Sequence, residues 1–275
     1  MEKLLLYNGD VVIYFDEVKH KFYHEDMSPI TNSVTGFTGI RDKSGPLIGW
    51  AVKMMGLYLV NNWNVNKVIK ESQKIELIDT AKREFRRIKE EARDIGTDIH
   101  EWIKDWIAGK KPVMSEDERT VNGITAFLKF QKERNIEWVA SERKVYSVKY
   151  DYGGILDGIG IINSKLELCD FKSAKGIYDE AIFQTTGYRL AIEEELEYLI
   201  RIPIAKIKDP KDKVLLKAYK KYKGFSSNRI IQFGKLDGEF NTLTFNEYEK
   251  DKEAFLACRT LKIRTDELKK VLKQC

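Results

Sequence analysis

Apolar and polar positions alternate over residues 3–31, around Val11–Phe15 and Lys21–His24, with turn residues such as Ser28-Pro29 between the runs. That period of two predicts an N-terminal β-meander. From Pro46 the period lengthens: Leu47, Trp50, Ala51, Met54 and Leu57 recur every three or four residues, which predicts a helix ended by a polar joint around Asn61 to Lys67. A longer helix follows, apolar at Ile75, Phe85, Ile95, Ile103 and Trp106, densely charged on its other face, and stopped by Gly109-Lys110-Lys111-Pro112. Ser115, with Glu118 three residues on, reads as the cap of a third helix that carries Val121, Ile124, Phe127 and Phe130 and ends near Asn135.

From Ile136 the pattern changes to short apolar runs. Trp138–Ala140, Val145–Val148, Ile155–Ile162 and Leu166–Phe171 predict strands of a central sheet, separated by turns at Tyr152-Gly153-Gly154 and Asn163-Ser164-Lys165. A helix over Tyr178–Glu195, an apolar strand over Tyr198–Ile207, a hairpin through Ile230–Phe233 and a helix from Asn246 complete an α/β chain. One domain is expected over 1–275: a meander (1–45), a helical region (46–135), a sheet and helix that carry the chemistry (136–210), and a hairpin and helix (211–275).

Of the 275 residues, 43% are apolar and 33% charged, enough for one substantial core. No apolar run approaches the roughly 20 residues a membrane-spanning helix needs, so no membrane partner is expected. The opening MEKLLLYNGD has neither a secretory nor a transit pattern. A cytoplasmic protein of a bacterial or phage-infected cell, or the mature part of a processed one, is the expectation. Cys169, Cys258 and Cys275 are too few and scattered for a disulfide framework or a four-cysteine metal site. A net charge of +5 favours a polyanionic partner only modestly.

The candidate chemistry sits on the central strands. Asp170-Phe171-Lys172 ends one of them, and alternation sends Asp170 and Lys172 to one face with Phe171 on the other. Alone the tripeptide says little. Acidic-x-Lys recurs at Glu17-Val18-Lys19, Glu142-Arg143-Lys144, Asp209-Pro210-Lys211 and Glu267-Leu268-Lys269, and a strand-end ion pair is the plainer reading. Upstream, Asp157 interrupts the apolar run Gly153–Gly160, where an acid is costly unless paired, bound to metal or satisfied by backbone amides. A hairpin through Asn163-Ser164 would make Asp157 and Asp170 neighbours that repel unless a cation lies between them. Oxygen ligands so placed suit Mg²⁺ or Mn²⁺. Gln184 and Tyr188 lie one helical turn apart, and His100, one of three histidines, follows Gly96 by one turn. Each of these, taken singly, reads more readily as an ordinary polar or hydrogen-bonded residue.

In order, Gly96-x3-His100, Gly153-Gly154-x2-Asp157, Asp170-x-Lys172 and Gln184-x3-Tyr188 resemble the RecB-like branch of the PD-(D/E)XK nuclease superfamily, over residues 96–190. Thr31-Asn32-Ser33-Val34-Thr35 and Leu47-x2-Trp50-Ala51 are similar to the opening of phage and bacterial relatives of mitochondrial genome maintenance exonuclease. The resemblance implies a restriction-endonuclease-like central mixed β-sheet flanked by helices. It implies that His100, Asp157, Asp170 and the Phe171 carbonyl hold one or two Mg²⁺ or Mn²⁺ ions. Lys172 would orient or help deprotonate water and offset charge on phosphorus, Gln184 and Tyr188 would position the site, and Glu142 would add an outer acidic contact. Asp170 stands where the family often has Glu, and the four cysteines of iron–sulfur relatives are missing.

The implied activity is a metal-dependent exonuclease or end-processing nuclease on DNA, in replication, recombination or repair. Basic and aromatic residues interleave over Arg83–Lys89, Lys104–Lys111 and Lys217–Phe225, as a single-strand groove requires, although solvated helix faces look the same. A structure-specific endonuclease on the same fold and an inactive nucleic-acid-binding protein are the alternatives.

Overall fold

The N-terminal alternation folds as an antiparallel meander of β1 (Glu2–Leu6), β2 (Val11–Asp16), β3 (Lys21–His24) and β4 (Pro29–Ile30), paired in sequence order. The computed structural model describes residues 1–42, 44–63 and 70–273. Alternate residues Ile13 and Phe15 of β2 are buried and, with Leu6, Phe22 and Ile30, form the meander's own core. Each such side chain withdrawn from water contributes about 1.5–3 kcal/mol.

The chain divides into two compact units, Met1–Ile40 with Ile99–Cys275, and Arg41–Asp98. The second holds α2 (Ser44–Asn62) and the first part of α3 (Glu71–Ile107), whose 37 residues keep the amphipathic spacing seen in the sequence. Trp50 of α2 meets Phe85 of α3 edge-on at 6.2 Å. The charged face of α3 carries ion pairs of Arg87 with Glu84 and Glu91. Beyond Trp63, the joint expected up to Lys67 lies outside the described residues, as does Cys275.

In the first unit, β5 (Glu137–Ser147), β6 (Tyr152–Ile162), β7 (Lys165–Lys172), β8 (Ser227–Phe233) and β9 (Phe240–Phe245) form one sheet in that order. The sheet is mixed: β7 and β8 are parallel, and the other pairs antiparallel. The β6–β7 hairpin closes through Asn163 and Ser164, both at positive φ (49° and 62°), the conformation of a two-residue turn that matches strand twist. Parallel pairing of β7 with β8 demands a crossover, made by α5 (Asp179–Ile200) and α6 (Pro210–Lys221).

Both faces of this sheet are covered. α4 (Glu118–Arg134) brings Phe127 to within 5.9–6.2 Å of the Trp138, Phe171 and Phe233 ring centroids. Leu156, Leu168, Ile192, Leu196 and Leu199 pack in a separate core with Phe255 of α7 (Tyr248–Leu272). Phe171 thus faces α4, while Leu166 and Leu168, four and two residues before Asp170, join the α5 core. Arg143 of β5 is ion-paired to Glu195 of α5 at 2.8 Å and to Asp212 of α6 at 2.7 Å, which fastens the crossover to the sheet. Cys169 is completely buried on β7, and burial, with Glu167 beside it, pushes its thiol well up.

Four local expectations are corrected. The apolar stretch Tyr198–Ile207 is not a strand: α5 runs on to Ile200, Leu199 is fully buried, and Pro203 leads into a 3-10 turn at Ile204–Lys206. The cap of α4 is Asp117, whose carboxylate accepts from the Arg119 and Thr120 amides, while Ser115 accepts from Asp117. Tyr152-Gly153-Gly154 opens β6 rather than forming the turn, which lies over residues 148–151. α1 (Val34–Thr38), capped by Ser33 and seated by the fully buried Val34 and Phe37, and α6 add helices the periodicity did not announce. Among the described residues no helix is long and apolar enough to cross a membrane.

Candidate active site

Three acids converge on β5, β6 and β7. Glu142 and Asp157 lie between the paired residues Ser141–Gly158 and Arg143–Leu156 of β5 and β6. On the other edge of β6, pairing with β7 runs to Gly158–Cys169, and Asp157 and Asp170 are the next residues on their strands. Glu142 has φ 46°, a left-handed conformation that costs an L residue about 1–2 kcal/mol, while the pairing of β5 with β6 keeps one register on either side of it.

His100 enters from the last turns of α3, its Nδ1 3.6 Å from Asp157 Oδ1 and its ring edge-on to Phe171 at 6.0 Å. The other Asp157 oxygen, Oδ2, accepts from the Phe171 amide at 2.6 Å, so Oδ1 alone is turned to the imidazole. His100, Glu142 and Asp157 each offer a ligand atom within 4.8 Å of the others. Asp170 is 2% exposed and its Oδ2 lies 2.6 Å from Lys172 Nζ, the pairing expected for two residues on one strand face. That contact is an ion pair without hydrogen-bond alignment, and it leaves Oδ2 buried without a directional donor.

The expected ligand set is therefore assembled only in part. Glu142, ranked as an outer contact, stands with His100 and Asp157, while Asp170 is engaged by Lys172 and lies outside the trio. The Phe171 amide, on the residue whose carbonyl is expected among the metal ligands, donates to Asp157. The left-handed turn at Glu142 is the physical reason for the first change, and the shared face of Asp170 and Lys172 for the second.

Gln184 donates to Thr38 Oγ1 of α1 at 3.5 Å. Tyr188 packs on Gly154, where a Cβ would lie 2.6 Å from its ring, so the second glycine of the Gly-Gly pair is required by close packing. These two residues join α5 to α1 and β6 beside the acids. Lys104, four residues after His100 and so on the same helix face, is a site residue that sequence reasoning did not single out. Its charge pulls the Glu142 carboxyl down.

The electrostatics are those of a site short of positive charge. Burial, then the Asp157 charge, raises Glu142 to about 7 against the pull of Lys104 and Lys144. Burial raises Asp170 to about 7 although Lys172 opposes the shift, with Asp157 adding to it. Burial and the same three acids hold the Tyr188 hydroxyl well above its ordinary range. Burial alone would lower the Lys172 ammonium, but Asp170 and Asp157 outweigh it and keep the group protonated.

Two carboxylates and an imidazole, with a third carboxylate adjacent, fit a divalent ion of the Mg²⁺ or Mn²⁺ type, which favours oxygen donors and accepts histidine in the case of Mn²⁺. Ligand atoms on opposite sides of such an ion are about 4.2 Å apart, so the 4.8 Å cluster needs little contraction. In comparisons with known proteins, no family model and no curated protein sequence matches the chain.

Proposed function

We propose that the chain is a divalent-metal-dependent nuclease with a restriction-endonuclease-like sheet of the PD-(D/E)XK type, hydrolysing phosphodiester bonds at DNA ends. The observation that carries this reading is the Asp170–Lys172 pair on β7 set beside the His100, Glu142 and Asp157 cluster. A carboxylate cluster with one part-exposed ammonium next to it suits a substrate that is itself anionic and gains charge during reaction.

His100, Glu142 and Asp157 would hold Mg²⁺ or Mn²⁺, with Asp170 adjacent. A bound ion supplies a lowered water pKa and charge compensation at phosphoryl oxygens. Lys172, kept protonated by Asp170 and Asp157, places a fixed positive charge where negative charge accumulates. Asp157, anchored through Oδ2 by the Phe171 amide, keeps Oδ1 in position. Gln184 and Tyr188 brace the site from α5, and the Tyr188 hydroxyl remains a proton donor throughout the neutral range.

The test is incubation of purified protein with Mn²⁺ or Mg²⁺ and end-labelled linear, end-blocked and closed circular single-stranded DNA. Degradation of linear DNA with free ends, lost in Lys172→Ala, is expected. Cutting of closed circles would assign an endonuclease instead, and no degradation of any DNA would remove the catalytic reading.

A further inference from the structure

His100, Lys104 and Ile107 are spaced by four and three residues and so share one face of α3. The two outer members are placed against β5. His100 stands with Glu142 and Asp157 in the candidate metal cluster, and Ile107 lines a recess together with Glu142 and Lys144. Lys104 lies between them, so its side chain leaves the helix toward the β5 flank of the cluster. Lys172 occupies the opposite flank, because β6 with Asp157 separates β5 from β7.

The other cations near the cluster are committed. Lys172 meets Asp170 at 2.6 Å, Lys144 meets Glu2 at 2.8 Å and Glu17 at 3.0 Å, and Arg143 is held by Glu195 and Asp212. Lys104 is exposed and forms no ion pair among the described residues. Its charge still reaches the cluster: burial and Asp157 raise the Glu142 carboxyl, and Lys104 opposes them more strongly than Lys144 does. Glu101, exposed one residue after His100, acts the other way and is weaker than both lysines. With a dication held there, its two charges and that of Lys172 balance the carboxylates of Glu142, Asp157 and Asp170. Among the described residues, Lys104 is then the cation left beside the cluster to answer the single charge of a phosphodiester.

We propose that Lys104 binds a non-bridging oxygen of the substrate phosphodiester from the β5 flank, as a second substrate-facing cation across the cluster from Lys172. The proposal rests on the nuclease reading. A hydrated ammonium on a flexible stem suits a phosphate oxygen as a point charge. The phosphodiester carries its charge before the reaction as well as during it, so this contact acts on binding, whereas Lys172 acts where charge accumulates.

The test compares Lys104→Gln and Lys104→Arg with Lys269→Gln on α7 in two measurements. In hydrolysis of a linear oligothymidylate at saturating Mn²⁺, Lys104→Gln is expected to raise KM about five- to tenfold and to change kcat by less than about threefold. Lys104→Arg, which keeps the charge, should hold KM within about threefold of the unaltered protein, and Lys269→Gln should leave both constants unchanged. In titration calorimetry with Mn²⁺ and no DNA, loss of a neighbouring positive charge should tighten the ion about two- to fivefold in Lys104→Gln. The opposite signs matter, because a residue that only supports the fold would weaken ion and substrate together. An unchanged KM, a fall in kcat in its place, or Mn²⁺ affinity that is unaltered or weakened overturns the proposal. Should Lys104→Gln fail to fold, as thermal melting will reveal, Lys104→Met keeps the aliphatic stem and carries the same two measurements. Absence of hydrolysis by the unaltered protein removes the nuclease reading and this proposal with it; hydrolysis that Lys104→Gln leaves unaltered removes this proposal alone.

Discussion

Glu142 and Asp157 stand side by side on antiparallel strands, and the left-handed backbone of Glu142 aligns its carboxylate with His100 at the same place. Backbone strain and like-charge repulsion are concentrated in one pair of residues. Both are offset if a dication occupies the cluster.

Glu142→Gln should therefore stabilise the metal-free protein while weakening the metal site. We expect the melting temperature in EDTA to rise by roughly 2–6 °C. Titration calorimetry with Mn²⁺ should show affinity reduced about 10–100-fold. A variant that binds Mn²⁺ as well as the unaltered protein would remove Glu142 from the ligand set.

The pH dependence follows from the two raised carboxyls. Glu142 and Asp170 lie at about 7 in the folded chain, above the ordinary 4.5 and 3.8, so the folded state retains protons the unfolded chain has released. Their contribution to stability is fully present below about pH 4 and is lost as pH rises through about 7. In EDTA the melting temperature should fall between pH 5.5 and 8. Saturating Mn²⁺ should reverse that trend, because the ion takes the deprotonated ligands.

Lys172→Ala is expected to lower single-turnover hydrolysis by about 10²–10³-fold. It also leaves the buried Asp170 without its cation, a loss held below the roughly 3–5 kcal/mol of a fully buried pair because Lys172 is itself part-exposed. Lys172→Ala/Asp170→Asn should recover most of that stability and none of the rate. Recovery of the rate would show that the pair is structural only.

Gly154→Ala places a methyl group 2.6 Å from the Tyr188 ring and 3.1 Å from Val34. Overpacking of this kind costs about 1–3 kcal/mol, measurable by urea unfolding. Tyr188→Leu in the same chain should relieve part of the loss. Additive losses in the double variant would mean that the two positions do not share the contact.

Legibility in the sequence followed the strength of the local pattern. The amphipathic stripe of α3, the Asn163-Ser164 hairpin and the common face of Asp170 and Lys172 each depend on near neighbours, and each has the expected form. Tyr198–Ile207 reads as a strand because Tyr198, Leu199 and Ile200 are apolar whatever their burial: Leu199 is fully buried and Ile200 is exposed, so the end of α5 shows no apolar-polar alternation at the helical period. α6 had a signal that was overlooked, Asp209-Pro210 as cap and first residue. Glu142 is signalled only as an outer acidic contact through the resemblance: acidic-x-Lys gives no hint that its backbone is left-handed or that it stands with His100 and Asp157.

Cys169 sits one residue before Asp170, enclosed completely and with its thiol held in the protonated form. A thiol-directed reagent reaches it only when β7 parts from its neighbours, so its labelling rate is a clock for the opening of the strand that carries Asp170 and Lys172. The native chain thus contains its own probe of how often the reacting centre comes apart, and any ligand that closes that centre should slow the clock.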